Sequence, residues 1–462
     1  MRIFSTIKKQ FSRLLESRTK EEFNISSIIS AEVEWLIEYC ARAYRGQPEW
    51  EDPEKGIKTI NMAQAIVSEI ARLVTLGIGI KVEGSARAKW LQEQVDSIYY
   101  ELRKWVEYGC AYGTVILKPN GDTVKLYVPG QYEITEQSGG KITGVVFHNS
   151  AKDERAAKFY ERLEYHRFDG GVYVITNKCF VGDSPNGCDK PIDIALTPWA
   201  GMLNEARILN VVNPLFAPLR TPHANNLDHS CPVTLPICSD ALEELRDLDV
   251  AYSRNANEIE DSKRMVLLDS DRLLPGTKPG ELSRGGLPDY VKLIDGDTSV
   301  ESDIYHEINP TLNTDTRITG INAQLSLIGF KCGFSNGHFV FNQKTGRITA
   351  REVESDDART IQTVKDHRDQ LEVCMKYLLY AMSKIADLYQ LAPVGSYEVV
   401  YDFGDITYNR DEDRARYWGY VQAGRYPFWR FLVKFEGYTE KDAKLIEREA
   451  QPREPTLFGG EE

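Results

Sequence analysis

Apolar residues recur at helical spacing in three stretches near the start of the chain. Over 31–45, Trp35, Leu36, Tyr39 and Cys40 fall on one side, and over 60–76, Ala63, Ile66, Val67, Ile70, Leu73 and Val74 form an i, i+3, i+4, i+7 stripe stopped by Gly77. Leu91, Val95, Ile98, Leu102 and Trp105 extend the pattern and predict one helix over 86–107. The period then changes to two. Alternating runs at 114–118 and 124–128 flank Asn120-Gly121, a hairpin signal. Further strand-like runs follow at 142–148, 158–168 and 172–177, the last two joined through Asp169-Gly170-Gly171. Residues 1–238 therefore read as an α+β domain, ending in an irregular connection rich in Pro and Asn (Pro214, Pro218, Pro222, Asn225, Asn226, Pro232, Pro236).

Residues 239–263 differ in kind. Leu242, Leu245, Leu248, Tyr252, Ala256 and Ile259 make a narrow apolar stripe, and the remainder is polar, with eight acids against three bases. A helix of about 25 residues spans roughly 37 Å, and so thin a stripe predicts packing beside copies of itself. Asp240 and Glu243 make a capping-box spacing at its start. Residues 264–308 alternate short strands, at 265–268 and 290–293, with turns rich in Gly and Pro. A second helix follows over 309–330, with Ile318, Ile321, Leu325 and Ile328 on one side. The segment 331–348 holds three glycines, three phenylalanines and the cations Lys331, Lys344 and Arg347, with His338 and no acid. Thr349 and Glu352 then open a long helix over 349–390, whose Val364, Leu371, Met375, Leu378, Met382, Ile385 and Tyr389 form a heptad-like seam. The remainder, 391–462, reads as a strand over 397–403, helical segments around 411–435 and 439–450, and a tail with Pro452, Pro455, Gly459 and Gly460.

Composition narrows the function classes. At 462 residues, 42% hydrophobic and 27% charged, the chain is long enough for two to four domains of a folded protein. Its net charge of −13 disfavours tight wrapping of nucleic acid, because phosphate binding runs on Lys and Arg. The first twenty residues are the exception, with six cations against Glu16 alone. Beside those cations, Ile3, Ile7, Phe11, Leu14 and Leu15 recur at helical spacing. Such a helix can lie on a membrane surface; in an acidic chain, docking on an acidic neighbour is the favoured reading. The absence of a signal peptide and of a run of about 20 apolar residues argues against secretion by that route and against a membrane span.

No catalytic constellation emerges from the motifs. There is no G-x-x-x-x-G-K-[ST], G-x-S-x-G or H-E-x-x-H, and Gly77-x-Gly79 follows a helix with the wrong spacing for a dinucleotide fingerprint. The eight cysteines contain no C-x-x-C; His229, Cys231 and Cys238 are the nearest approach to a zinc set and lack a fourth ligand. Asp402, Asp405, Asp411 and Asp413 have the chemistry of metal ligands but not the glycine and terminal Glu of an EF-hand. No cofactor or metal is expected.

The order helix, small β tip, helix, basic loop, long helix resembles the core of portal proteins of tailed bacteriophages, of the type found in long-tailed phages of Gram-positive hosts. The residues carrying the likeness begin with Pro214-Leu215-Phe216, Asn225-Asn226-Leu227 and Ala241-Leu242-Glu243-Glu244-Leu245-x-x-Leu248-Asp249, followed by the passage from Arg254 to Arg264. They continue through Gly329-Phe330, Phe339-Val340-Phe341, Lys344-Thr345-Gly346 and Thr349-Ala350-Arg351-Glu352-Val353. On this likeness 1–238 corresponds to the wing, 239–263 and 309–330 to the stem, 264–308 to the clip, 331–348 to the tunnel loop, 349–390 to the helix joining wing and crown, and 391–462 to a short crown.

The resemblance implies a homo-oligomeric ring, usually a dodecamer, at the capsid portal vertex of a virion assembled in the host bacterial cytoplasm. Double-stranded DNA would pass through the ring during packaging and ejection. The implied partners are the terminase large subunit, a head-tail connector or adaptor protein, and major capsid and scaffolding proteins, with no membrane. It implies no enzymatic activity, since the packaging ATPase is the terminase. Lys331, His338, Lys344 and Arg347 would meet DNA in the channel; Leu242, Leu245, Leu248, Tyr252, Ile259, Ile318, Ile321 and Leu325 would pack the stems around the ring. Two other classes stay open on the residues: a metal-dependent nucleic-acid-processing enzyme using Asp402, Asp405 and nearby acids, and a membrane-surface scaffold anchored by residues 1–20.

Overall fold

A computed structural model describes residues 18–121, 123–153, 157–185, 187–261, 265–269, 291–294, 305–308, 314–341, 358–404 and 410–450. They form an α+β fold divided into two bodies, 1–403 and 404–462. The first body opens with α1 (Ala31–Tyr44) and α2 (Met62–Val74), followed by β1 (Ile78–Gly84), α3 (Ala86–Ile98) and α4 (Leu102–Tyr112). The single helix expected over 86–107 is thus two, separated by a 3-10 turn at Tyr99–Glu101. The apolar stripe runs unbroken through the turn because both halves are buried, α3 against β1 and α4 against α2.

The hairpin at Asn120-Gly121 joins β2 (Thr114–Asn120) to β3 (Thr123–Tyr127). Four antiparallel strands follow in sequence: β4 (Tyr132–Ser138), β5 (Lys141–Asp153), β6 (Lys158–Asp169) and β7 (Val172–Gly182). Two short strands, β8 (Lys190–Ile192) and β9 (Glu205–Ile208), both pair with β7. Next, β10 (Ala217–Arg220) returns to pair with β2.

Both faces of β6 are covered, with different chemistry. On one face Arg162, Glu164 and His166 alternate into the main core, where Tyr127, Phe147, Ile134 and Phe216 lie with Val33 and Ile37 of α1. Glu164 accepts there from Lys118, from Arg162 at 2.9 Å, from Asn149 at 3.3 Å, and shares a 3.0 Å bond with His166. Burial opposes its ionisation, yet Lys118, His166 and Arg162 hold this carboxyl well below the usual range. On the other face Leu163 and Tyr165 meet Phe23 and Ile25. The N-terminal segment lies over that face: Arg18 pairs with Glu161 and Asp189, and Thr19 donates to Glu133 at 2.9 Å. Arg18, from the cationic N-terminal stretch, therefore docks on acids of its own sheet; residues 1–17 lie outside the described residues.

Then comes a long helical pair. The helix expected over 239–263 begins with a 3-10 turn and continues as α5 (Leu242–Asp261), while α6 (Thr314–Lys331) runs back alongside it. Between them a three-stranded sheet contains β11 (Met265–Asp269), parallel to β12 (Val291–Ile294) and antiparallel to β13 (Tyr305–Ile308).

After 342–357, which lie outside the described residues, α7 (Ala358–Tyr389) forms the longest described helix, at 32 residues. Its buried face, including Val364, Leu371, Met375, Leu378 and Met382, packs on α2, α3, β2 and β10. The first body closes with β14 (Tyr397–Phe403), antiparallel to β1 from Gly84↔Tyr397 to Ile78↔Phe403. This corrects the expected division: 391–403 belongs with the first body because β1 supplies the backbone partners of β14. In the second body, α8 (Arg410–Gln422), α9 (Phe428–Phe431) continued by the π-turn Leu432–Glu436, and α10 (Glu440–Ala450) surround buried Phe431, Leu432, Phe435 and Ala443. The helix expected around 411–435 breaks before Pro427, which caps α9.

Two buried arginines tie the helices of the first body together through backbone carbonyls, Arg368 at ones that a helix end leaves without donors. Arg368 of α7 donates to the carbonyls of Leu73, Val74 and Leu76 at the end of α2, at 3.1–3.3 Å. Arg87 of α3 donates to Ser383 in α7 and to Ala392 and Pro393 beyond its end, and pairs with Asp387 at 2.6 Å. Replacing Arg87 by Met keeps most of the side-chain volume but leaves those groups unserved. The expected loss is about 3 kcal/mol of unfolding free energy, read from the urea midpoint, whereas Arg246→Met on the exposed side of α5 stays within about 0.5 kcal/mol.

Candidate functional site

The candidate site is built from the helix pair and the acid-free segment that follows it. The two helices are antiparallel and pinned at both ends by ion pairs, Lys331 with Glu244 at 2.5 Å and Arg317 with Glu258. Their seam buries Leu245, Leu248, Ile321, Leu325 and Ile328 within one chain. This revises the expectation that the whole stripe packs between copies: four of its members are already covered by the partner helix. Leu242 and Ile318 are half-buried, whereas Tyr252 and Ile259 stay exposed at 43% and 50%. Leu327 and Phe330, outside the seam, are also exposed.

The root of α5 is fixed to the body. Buried Asp249 accepts from Trp50 Nε1 at 2.8 Å and from the Ile60 amide at 3.0 Å. One turn on, Ser253 both accepts from the Lys58 amide and donates to its carbonyl. In the sequence no local signal distinguishes Asp249 from its exposed neighbour Asp247.

The segment beginning at Lys331 is not a free loop at its start. Helix α6 ends in a Schellman motif: Phe334 N–H bonds the Gly329 carbonyl at 2.8 Å, and Gly333 N–H bonds Phe330 at 3.2 Å. Gly333 takes φ +87°, and a Cβ there would lie 2.7 Å from Thr363 Oγ1, which itself donates to the Gly333 carbonyl. Lys331 is therefore the last residue of α6, where it pairs with Glu244, and its expected place in the loop is corrected accordingly. The signal that marks this end is Gly333 just past the apolar stripe.

Beyond the motif the chain folds back on the body. Cys332, Phe334 and Ser335 are buried. Ser335 and Thr360 exchange bonds, the Ser335 amide to Thr360 Oγ1 at 2.9 Å and the Thr360 amide to Ser335 Oγ at 3.3 Å, so the segment caps the start of α7. His338 stacks among Phe334 and Phe339 and lies 3.5 Å from Glu69, whose carboxyl Arg72 and then His338 hold below its ordinary range despite burial. It keeps a turn position with an exposed backbone, its ring leaning on the aromatic residues of this fold-back.

Asn322 of α6 reads both backbone groups of Phe341, at 2.8 and 2.9 Å. Arg359 of α7 stacks over Phe330 at 3.9 Å and donates to its carbonyl at 2.9 Å. The chain is thus anchored immediately before and after 342–357. Lys344 and Arg347 fall in that interval, outside the described residues.

The other candidates separate. Cys238 shares a thiol hydrogen bond with Cys332, near Cys40, and so leaves the trio with His229 and Cys231, both of which lie instead at an outer cleft. Asp402 is exposed on β14, and Asp405 lies outside the described residues, as do the side chains of Asp411 and Asp413. Among the described residues no three His, Cys, Asp or Glu side chains are grouped to hold a metal ion, and no helix is long and apolar enough to cross a membrane. Compared with models of known protein families and with curated protein sequences, the chain matches none.

One turn beyond Thr363, buried His367 donates from Nδ1 to the Thr363 carbonyl at 2.8 Å and faces His223. Burial pushes His367 down to about 4; the Thr363 carbonyl opposes this, and the His223 ring adds to it. The unfolded chain, with its ordinary value of 6.5, therefore takes up protons first as pH falls. Stability from this group is complete above about pH 6.5 and declines by about 3 kcal/mol as pH drops through the folded value. Thermal melts between pH 7 and 4 check this: His367→Gln removes that part of the decline. At pH 7, Gly333→Ala lowers the unfolding free energy by about 2 kcal/mol through its left-handed backbone and the Thr363 overlap.

Proposed function

We propose that this chain is a portal subunit of a tailed bacteriophage, forming a ring at one capsid vertex through which double-stranded DNA is packaged and ejected. One observation carries the reading: an antiparallel helix pair bears a three-stranded sheet at one end and continues at the other, through a pinned fold-back, into a 32-residue helix. The helix pair satisfies itself along Leu245, Leu248, Ile321 and Leu325 and still leaves Tyr252, Ile259, Leu327 and Phe330 outside. Those residues are the part of the expected stem surface that remains for neighbouring copies, and a heterologous contact of this kind closes into a ring when its rotation divides the circle.

The electrostatics support a conduit that does not grip. Each subunit carries −13, and residues 239–263 are acidic within it, so a phosphate backbone passing the helices meets repulsion instead of counterion-releasing contacts. Lys344 and Arg347 are the exceptions, on the segment between the Asn322 and Arg359 anchors, and in this reading they touch the passing DNA. The sheet of 265–308 is the docking surface for the terminase large subunit and for the head-tail connector or adaptor that follows it, while major capsid and scaffolding proteins meet the outer body. The chain itself supplies no ATPase chemistry; translocation energy comes from the terminase.

Purified protein is expected to form closed rings in negative-stain images and multiples of the subunit mass in mass photometry. A monomer over the whole micromolar range would sink the proposal. Lys344→Glu combined with Arg347→Glu is expected to leave the ring intact and reduce DNA filling of capsids; normal filling would refute a required contact by this segment.

A further inference from the structure

The turn between β4 and β5 and the connection over 221–234 enclose a cleft of about 600 Å³, which includes Gly140, Arg220, His229 and Ser230 in its lining. Arg220 ends β10 and is fixed to the core through the pairing of that strand with β2. Both terminal nitrogens of its guanidinium donate to one acceptor, the Gly140 carbonyl, each at 3.1 Å. Its Nε–H is enclosed and has no partner. A guanidinium carries five donors, so most of its capacity is unspent.

Among the described residues no carboxylate pairs with Arg220. Arg18, Arg87 and Arg162 each meet one, at Glu161, Asp387 and Glu164. In a chain with 69 acids, a half-buried arginine facing a cleft with no carboxylate in its lining is placed to receive an anion from outside.

The opposite wall is prebuilt. Asn225 Oδ1 accepts from the amides of Leu227 and Asp228 at 3.1 and 3.0 Å, Asp228 accepts from the Ser230 amide and hydroxyl, and Gln137 donates across the cleft to the Ser230 carbonyl. The wall therefore stands without a ligand, and the acid within it, Asp228, is spent on its own turn.

We infer that this cleft is an oxyanion site in which Arg220 receives a phosphate or phosphodiester oxygen through its terminal N–H groups. With the converging pair of N–H groups spent on Gly140, the outward N–H of a terminal nitrogen remains to donate to a phosphate oxygen, and the cleft volume lies within the range of small-ligand sites. The inference is independent of the portal reading, because every residue involved lies within one chain and none belongs to the helix pair or to 342–357.

The test uses the full chain with inorganic phosphate, and separately with a short DNA duplex, against chloride at matched ionic strength. Phosphate is expected to raise the melting temperature in a saturable manner and to protect Arg220 from phenylglyoxal, read by peptide mass spectrometry. Arg220→Gln is expected to abolish the phosphate-dependent rise measured from its own baseline, and Arg220→Lys to weaken it more than tenfold in half-saturating concentration. Protection by phosphate assigns the site to a free anion; protection by duplex alone assigns it to the phosphodiester backbone. Equal modification of Arg220 in phosphate, duplex and chloride would overturn the inference, and because that measurement is made on the unmodified chain it does not depend on any variant folding.

Discussion

A buried guanidinium must find acceptors for its five donors, and in this protein that requirement organises the first body. Arg368 and Arg87 both meet it largely at backbone carbonyls of other elements. Arg368 reaches from α7 to the end of α2; Arg87 reaches from α3 to the end of α7 and the turn beyond it. The arrangement is sequential: α7 supplies donors to the end of α2 and is itself tied to α3 by Arg87. Because α7 also packs on β2 and β10, the long helix fixes the relation between the N-terminal helices and the strands.

The same helix anchors the candidate site. Ser335 and Thr360 lock the fold-back to its first turns, and Thr363 closes on Gly333. On the other side, Asp249 and Ser253 seat α5 against 50–60. The helix pair is therefore held at its root by polar contacts with the body and along its length by an apolar seam, and its remaining apolar side chains face outward. Rigid seating together with an unsatisfied outer surface is the combination that an assembling subunit needs, since a contact between copies transmits angle only when each copy is stiff.

Much of the first body was legible in the chain. Asn120-Gly121 located its hairpin, Asp169-Gly170-Gly171 the one between β6 and β7, and the stripe of α2 its buried face, whereas α1 buries Val33, Ile37 and Ala41 in place of Trp35. What escaped reading has physical reasons. The pairing of β1 with β14 joins residues more than 300 positions apart and leaves no local trace. Periodicity marks that Leu245, Leu248, Ile321 and Leu325 are covered but not by which chain, so an intrachain seam and an interchain one look alike. Lys331 reads as part of a basic loop because the segment's composition does not show that Gly333 is the left-handed cap of α6. His338 was judged by composition, whereas its stacking on Phe334 and Phe339 depends on a fold-back that no motif announces. The clustering of Cys238 with Cys332 has the same cause.

The ion cluster on β6 bears on how this sheet can change over generations. Lys118, Arg162, Glu164 and His166 sit where neither water nor a mobile counterion can replace a missing member. Losing Glu164 alone strands two cations; losing Lys118 alone strands part of an anion's compensation. Drift at these positions is closed to single steps and open only to coordinated replacement, in which charge leaves the cluster from both signs at once. The opposite face of the same strand, met by the N-terminal segment, is interlocked too: buried His148 lies 3.0 Å from Glu133 and 3.5 Å from Glu161, which also meets Arg18, and Tyr165 donates to Glu136. Both faces of a single strand therefore constrain drift by electrostatics, and only at apolar positions such as Leu163 can one side chain follow another singly.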